Sequence, residues 1–321
     1  MDFLNIVFNI LTSGLPCCLL AIGVFLTFRL LDFADMTAEG SFLLGAALTA
    51  SCIYNGMNPF LATLLGMLVG IICGIITGVL NRLLKIPKLL SGIITLTASM
   101  SIAMLIMGIT RPSQIFATQV PLSLSEGHKT IYSIFYNSSL NKMAPDFPWN
   151  KLIETSVMVV VVLVMIVAIY YFFGTEYGMA IRATGMNEKM AKSQGINTNI
   201  SSISCVAISN GLIGLAGALY VQDALSVSTV SATGYLVIGL ASILIGEAIF
   251  GKRTFKNWLI SVALGAILYF TIITIAIRLG FPTELKSLLY AILITIALCI
   301  PLMRKGFSYL FNKVRRKEQT C

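Results

Sequence analysis

The sequence predicts an all-α polytopic membrane protein with about nine transmembrane helices, within a range of eight to ten. Of its 321 residues, 57% are hydrophobic and only 11% are charged, whereas about a quarter of the residues in soluble globular domains are charged. Apolar runs of about 20 residues, the length that crosses a hydrocarbon core, recur along almost the whole chain. We therefore expect residues 1–321 to form a single transmembrane domain.

Nine apolar segments are long enough to be spans. The second is the weakest prediction, because acidic residues crowd its start, and residues 29–57 leave open a re-entrant element. The first begins with Asp2 instead of a basic stretch, and no A-x-A cleavage pattern follows, so we interpret it as a spanning helix and not as a signal peptide. The segments cover approximately residues 5–28, 36–54, 58–80, 87–109, 153–173, 202–222, 233–250, 258–278 and 287–303.

Basic residues predict which side of the membrane each loop occupies, because lysine and arginine are enriched in cytoplasmic loops. They cluster around Arg82, Arg182 and Lys252 and in the tail, residues 304–321. With these segments in the cytoplasm, nine spans alternate consistently and place the C-terminus inside. The external loop, residues 110–152, is then either a docking surface for a partner or a cover at the lipid headgroups. The same pattern accounts for the net charge of +9, so we expect no nucleic-acid partner.

Polar side chains in or next to apolar spans are candidates for a solute path. A carboxylate in the bilayer costs about 2.5–3.5 kcal/mol on insertion scales, so it usually faces a bundle interior or a watery cavity. Helix capping and hydrogen bonding between helices are alternative roles for such residues. Glu247 also lies in an apolar span, with Lys252 and Arg253 nearby as pairing partners. The candidate path residues are Asp35, Thr37, Glu39, Ser41 and Asn210.

The third span carries a glycine at every fourth position, which leaves one helix face without side chains. Another helix can approach such a face closely, and packing of this kind is a main source of helix association in lipid. Packing within the subunit and a seam between two subunits both fit the pattern. The four glycines are Gly66, Gly70, Gly74 and Gly78.

Nothing in the sequence indicates catalysis. His128 is the single histidine, which excludes a histidine metal cluster. Gly246–Lys252 begins like a phosphate-binding loop, but Arg253 stands where that loop needs Ser or Thr. We therefore predict that the chain is not an enzyme and holds no metal or cofactor of its own. The alternative function is an ion-coupled secondary transporter. Such a transporter needs relays of buried charged residues and internal repeats, but the sequence has few charged residues in its spans and no visible repeat.

Residues 174–200 form a loop in which glycines separate short helical turns. Such a loop suits docking into a partner's cleft, and an ordinary solvated loop fits the same pattern. Three segments are more specific: Leu31–Phe42 (LDFADMTAEGSF), Ile86–Ile94 (IPKLLSGII) and Gly178–Asn187 (GMAIRATGMN). Through them the chain resembles, over nearly its whole length, the permease subunits of ABC importers of the branched-chain amino acid and ribose family. It is most similar to a branch that pairs a single permease with an ATPase and a lipid-anchored binding protein, with aromatic amino acids among its suspected substrates.

The resemblance implies an ABC importer permease bundle that moves an amino acid or a similar small polar solute across the bacterial plasma (inner) membrane. The implied partners are ABC ATPase subunits that bind ATP and Mg, an extracytoplasmic substrate-binding lipoprotein, and a second copy of the chain in a homodimer. Import permeases often show Glu-Ala-Ala-x-x-x-Gly in a coupling helix that contacts the ATPase, and this chain keeps only the last alanine and the glycine of that pattern. The resemblance assigns ATPase coupling to Gly178, Arg182, Ala183, Gly185, Asn187, Ala191, Gly195 and Ile196.

Overall fold

The computed structural model describes residues 2–110, 118–122, 129–134, 149–229 and 233–281, together with 288, 289, 291, 292 and 295. These residues are almost entirely helical. The elements in chain order are α1 (Asp2–Phe25) with a terminal π-helical turn (Leu26–Leu30), α2 (Thr37–Tyr54), α3 (Pro59–Arg82), α4 (Lys88–Thr110), β1 (Gln119–Pro121), α5 (Ile131–Ile134), α6 (Trp149–Phe172), α7 (Glu176–Met186), α8 (Glu188–Ser193), α9 (Thr198–Ala224), β2 (Ser226–Ser228), α10 (Tyr235–Phe250) and α11 (Phe255–Arg278).

Six helices are long and apolar enough to cross a membrane by length and composition. The predicted fold class, an all-α polytopic membrane protein, is confirmed. Helix α10 is apolar but has only 16 residues, and the 18-residue α2 is not among the six. The predicted ninth span, the basic tail and most of the loop 110–152 lie outside the described residues, so the count of nine stays a prediction. The six segments are Ile6–Leu30, Pro59–Arg82, Lys88–Thr110, Lys151–Phe172, Thr198–Ala224 and Phe255–Arg278.

The helices differ strongly in burial, which separates a core from a periphery. In α1 and α9, 83% of the most apolar window is buried inside the chain, whereas the figure for α6 is 22%. Helix α9 packs against α3, α2 and α1, and α1 also contacts α6, α10 and α11. The outer helices α3, α4, α6 and α11 turn large apolar side chains outward. Such an apolar surface is typical of helices that face lipid.

Two ends of the bundle can be distinguished by their side-chain contacts. We call the end that holds Arg29, Arg82, Lys88 and the helices α7 and α8 the basic end. At the opposite end β1 pairs antiparallel with β2, with Val120 facing Val227. The alternating directions of the long helices bring the loops with clustered lysine and arginine to the same end.

The glycine face of α3 packs inside the subunit. A Cβ at Gly70 would meet the carbonyl oxygen of Asn210, and one at Gly74 would meet that of Val206, both on α9. Gly66 lies against Thr49 of α2 and Ala218 of α9, and Gly78 lies against Ile203 of α9. The α3 and α9 backbones are therefore in direct contact, which only residues without side chains allow.

Candidate functional site

A buried hydrogen-bond network joins the start of α2 to α9. Asp35 is buried, and its Oδ1 accepts a hydrogen bond from the backbone N–H of Thr37 (2.9 Å). Its Oδ2 accepts one from Nδ2 of Asn210 (2.7 Å), and Ser41 Oγ donates to Asn210 Oδ1 (2.7 Å). Asn210 Nδ2 also donates to the Val206 carbonyl (3.0 Å). The Asn210 amide is thus fully hydrogen-bonded, as a buried amide must be to avoid a desolvation cost.

The same network continues through buried threonines into α3 and α4. Thr37 and Thr77 share a hydroxyl–hydroxyl hydrogen bond of 2.7 Å, and Thr77 Oγ1 donates to Thr95 Oγ1 (2.9 Å). Four of the five candidate path residues, namely Asp35, Thr37, Ser41 and Asn210, therefore lie in a packed interior. Their observed contacts hold four helices together.

Glu39 has a different environment from the other four. It is half-buried, and its Oε1 accepts a hydrogen bond from the backbone N–H of Gly234 (3.0 Å), the residue before α10. The Phe42 ring stacks on Tyr235 with centroids 4.1 Å apart, and the Tyr220 ring lies 5.5 Å from that of Tyr235. The 16 residues of α10 span about 24 Å. Since a hydrocarbon core is about 30 Å thick, α10 begins within the membrane depth, and a carboxylate at its positive end is favourable.

The loop at residues 174–200 is built from two short helices that local side chains cap. Thr175 Oγ1 accepts a hydrogen bond from the N–H of Gly178 (3.2 Å) at the start of α7. Asn187 Oδ1 accepts one from the N–H of Met190 (3.1 Å) at the start of α8. Gly195 adopts a positive φ of 81° after α8, a conformation that glycine adopts without strain. The punctuated loop that the sequence predicts is thus a pair of ordered helices.

Glycine and aromatic contacts fix α7 on the membrane helices. A Cβ at Gly185 would overlap the carbonyl oxygen of Leu30 in the π-helical turn after α1. Arg182 places Cζ 4.8 Å from the centroid of the Phe255 ring at the start of α11. The Phe255 ring in turn lies 5.5 Å from that of Phe173. Helix α7 therefore contacts α1 directly through its backbone and α11 through a cation–π interaction.

Ion pairs fix α8 at the basic end. Glu188 accepts hydrogen bonds from Arg82 Nη1 at the end of α3 (2.8 Å) and from Thr198 at the start of α9 (3.3 Å), and it pairs with Lys192 (3.1 Å). Partial desolvation opposes any decrease in the pKa of the Glu188 carboxyl, but the hydrogen bonds from Arg82 and Lys192 outweigh it and lower that pKa below its ordinary value. The carboxylate is thus charged at neutral pH.

A second ion pair ties α1 to α10. Arg29 Nη2 lies 2.5 Å from Glu247 Oε2, and Trp258 Nε1 donates to the other carboxylate oxygen (2.8 Å). The partner of Glu247 is therefore Arg29, and the expected pairing with Lys252 or Arg253 is wrong. Arg29 lies at the same end of the bundle as Glu247, but the two residues are 218 positions apart in the sequence, so their pairing could not be predicted from neighbouring residues.

The residues assigned to ATPase coupling fall on both sides of the loop. Gly178 and Ala191 are buried, whereas Arg182, Asn187 and Gly195 are exposed, and Ala183, Gly185 and Ile196 are intermediate. The exposed side also carries three methionines that the sequence reasoning missed, Met179, Met186 and Met190, of which Met186 is 88% exposed. The sequence signal for these methionines is the presence of large apolar residues in a loop that otherwise carries charged residues of both signs.

Comparisons with known proteins agree with this architecture. The family described as branched-chain amino acid transport system, permease component, matches residues 6–298. The tyrosine transport system permease protein of Clostridioides difficile (strain R20291) is 33% identical over 319 residues, which cover 98% of each chain. The galactofuranose transporter permease protein YtfT of Escherichia coli (strain K12) is 29% identical over 148 residues, 46% of this chain and 42% of that protein. No solved structure matches this chain.

An uncharacterized protein of Rickettsia prowazekii (strain Madrid E) is 26% identical over 90% of this chain and 96% of its own length. The family match extends over all the helices described above, and the Clostridioides relative aligns end to end. The apolar helices, the buried polar network and the docked loop thus belong to a multi-pass permease, and the chain is a member of the family of branched-chain amino acid transport system permease components.

Proposed function

We propose that the chain is the transmembrane subunit of an ATP-driven importer in the bacterial plasma membrane, with its basic end in the cytoplasm. A separate ATPase binds ATP and Mg, a substrate-binding lipoprotein delivers solute at the opposite end, and a second copy of the chain completes a homodimer. Membership of the permease family supports this assignment. The gathering of Arg29, Arg82 and Lys88 at one end supports the orientation, because basic residues mark cytoplasmic segments.

The observation that carries the proposal is the two-sided loop formed by α7 and α8. One side contacts the membrane helices through Gly185, Arg182 and Glu188. The other side exposes Met186 and Met190. Methionine side chains are flexible and polarizable, so they adapt to an apolar cleft of a partner. A loop of this kind can bind a motor protein on one face and transmit its movement through the other.

The contacts of the loop define how movement would reach the membrane helices. Gly185 contacts the end of α1, Arg182 contacts the start of α11, and Glu188 contacts the end of α3. From α1 the Arg29–Glu247 pair leads to α10, whose other end adjoins Glu39. Energetic coupling between sites is carried by packed and ion-paired elements that have two arrangements. We propose that displacement of the loop changes the position of α10 relative to Glu39.

We propose an amino acid as the solute, with Glu39 as its contact. The end-to-end Clostridioides relative is named for tyrosine transport. The Glu39 carboxylate is suited to an ammonium group, and the neighbouring Phe42, Tyr220 and Tyr235 rings are suited to an aromatic side chain. The other four candidate path residues hold α2 in place beside Glu39. The burial of these four residues, compared with the half-buried Glu39, supports this division of roles.

The coupling assignment is tested by charging the exposed side of the loop. Met186→Asp combined with Met190→Asp changes only exposed side chains, so the thermal unfolding midpoint of the purified chain should stay unchanged. The ATPase activity that co-purifies with the chain from its native membranes should fall to background, because two carboxylates oppose an apolar contact. The control is Met57→Asp, which makes the same substitution at an exposed methionine of the opposite end and should leave that activity intact. Undiminished co-purifying activity in the double variant would refute the assignment.

A further inference from the structure

A basic cleft of about 480 Å³ opens at the basic end between the α3–α4 connection and the start of α9. Among the described residues it is lined by four cations and no carboxylate. In the described part of the chain, the cations of its wall form ion pairs with the carboxylate of Glu188, through Arg82 and Lys192. The polar lining consists of Asn81, Arg82, Lys85, Lys88, Lys192 and Asn199.

Hydrogen-bond donors remain available in the cleft. Within the part of the chain that the structure describes, Arg82 Nε is buried and has no hydrogen-bond partner. Lys85 makes no hydrogen bond or ion pair to any described residue. Lys88 Nζ donates one hydrogen bond, to the Asp32 carbonyl (2.9 Å), which leaves two of its three donors. A positive, donor-rich cleft with no carboxylate in its described lining is complementary to a phosphate group.

The borders of the cleft are apolar and lie at the membrane boundary. Arg82 is the last residue of one candidate span and Lys88 the first residue of the next, which places the cations at headgroup level. Four large leucines adjoin these cations in sequence and are exposed, Leu83, Leu84, Leu89 and Leu90. A ligand that carries a phosphate and long apolar chains matches both surfaces. An acidic peptide would match the charge alone.

We infer that this cleft binds an anionic phospholipid, with the headgroup phosphate among Arg82, Lys85 and Lys88 and the acyl chains along the exposed leucines. Basic pockets beside transmembrane helices on the cytoplasmic side recognise anionic headgroups in this way. Because Arg82 also binds Glu188, a lipid in the cleft contacts the wall on which α8 is fixed. The lipid would thus stabilise the loop in its docked position.

The test measures phospholipid binding to the full-length purified chain by native mass spectrometry and by thermal unfolding in detergent. The probes are dioleoyl phosphatidylglycerol, dioleoyl phosphatidylcholine and inorganic phosphate. We expect saturable binding of phosphatidylglycerol with a rise in the unfolding midpoint, and no comparable effect of the other two. Lys85→Gln combined with Lys88→Gln should weaken phosphatidylglycerol binding about 10- to 30-fold, since each cation near a headgroup contributes about 1 kcal/mol.

The matched control is Lys252→Gln combined with Lys256→Gln, which removes the same charge from two exposed lysines at the same end. It should leave the phosphatidylglycerol affinity within a factor of two of the unmodified chain. If the Lys85/Lys88 variant unfolds without lipid, Lys85→Gln alone carries the test, because Lys85 is exposed and has no hydrogen bond or ion pair to lose among the described residues. Equal losses in both double variants, or equal stabilisation by inorganic phosphate, would overturn the inference.

Discussion

Two helix junctions in this permease differ in whether backbone atoms or side chains make most of their contacts. Where α3 meets α9, glycine backbones touch, and the polar groups beside them are hydroxyls, the Asn210 amide and the Asp35 carboxyl group, which form hydrogen bonds between neighbouring helices. Where α7 and α8 meet the basic end, one backbone contact, Gly185 with Leu30, is joined by contacts between long side chains, the Arg82–Glu188 ion pair and the Arg182–Phe255 cation–π interaction. The first junction is made mainly of backbone, whereas the second, apart from the Gly185–Leu30 contact, is made mainly of side chains.

The contrast indicates where the molecule is rigid and where it can move. Backbone contact between α3 and α9 allows one arrangement, because a shift of either helix creates a collision or a void. Side chains such as Arg82, Glu188 and Arg182 can keep their contacts while the backbone moves by an ångström or more. We therefore treat the α3–α9 junction as the scaffold and the loop junction as the moving part.

The largest effect is expected at the scaffold. Gly70→Ala places a methyl group against the Asn210 carbonyl, so α3 and α9 must separate. We expect a loss of about 1–3 kcal/mol in unfolding free energy, the usual cost of overpacking. Thermal unfolding of the detergent-solubilised chain measures it. Gly14→Ala is the matched control, because its Cβ would lie 3.5 Å from Phe270 Cβ, an ordinary contact. Equal stability of the two variants would show that the junction is loose.

The next effect concerns the proposed solute contact, Glu39 on α2. Glu39→Gln keeps an oxygen to accept the Gly234 N–H but removes the charge. We expect uptake of the proposed amino-acid solute, tested with tyrosine, at saturating binding protein to fall about tenfold, the loss that follows from removing one charged hydrogen bond, while the unfolding midpoint is retained. Asp32→Asn removes an exposed acid just before α2 and should not change uptake. Normal uptake by Glu39→Gln would restrict Glu39 to capping α10.

A smaller effect is expected from the loop ion pair. A double-mutant cycle with Arg82→Gln and Glu188→Gln should give a coupling of about 0.5–1 kcal/mol in unfolding free energy, as is typical of partly exposed pairs. Because the pKa of Glu188 is lowered in the folded chain, this contribution is present above the carboxyl's ordinary pKa and is lost as pH falls through the lowered value. Additive single effects at neutral pH would mean that the pair does not hold α8.

The smallest effect tests the polar part of the scaffold. Ser41→Ala removes the hydroxyl that donates to Asn210, and we expect a loss of about 0.6 kcal/mol, the average for hydrogen bonds between membrane helices. Ser101→Ala is the control, because Ser101 is exposed and its hydroxyl, among the described residues, bonds to Thr97 of its own helix alone. Its unfolding free energy should not change. Indistinguishable variants would reduce the network to a passive role.

Sequence alone predicted the fold class and the close approach at the α3 glycines, because composition and spacing along one helix determine both. It did not predict α9 as the partner of those glycines, since helix pairing depends on contacts far apart in the chain. Asp35 and Glu39 show the same limit. They lie close together in sequence, but Asp35 precedes α2 and binds Asn210. Glu39 lies on α2 and binds the backbone N–H of Gly234.

The loop shows what local sequence could and could not indicate. The glycines predicted a punctuated loop, because they act on their own neighbours, and the caps at Thr175 and Asn187 that the structure adds are equally local. The contact of Gly185 with Leu30 involves residues far apart in the chain and could not be predicted. One consequence is that a bulky residue at Gly185 would disturb the fold itself, so exposed Met186 is the better site for testing partner binding.

The central claim is that ATP, hydrolysed by a separate subunit, drives solute through this chain. The most direct measurement is tyrosine uptake into proteoliposomes that contain the complex purified from native membranes, with substrate-binding protein outside and ATP enclosed. We expect uptake that requires enclosed ATP and continues when gramicidin has collapsed the ion gradients. Uptake by the chain alone, driven by an ion gradient and indifferent to ATP, would contradict it.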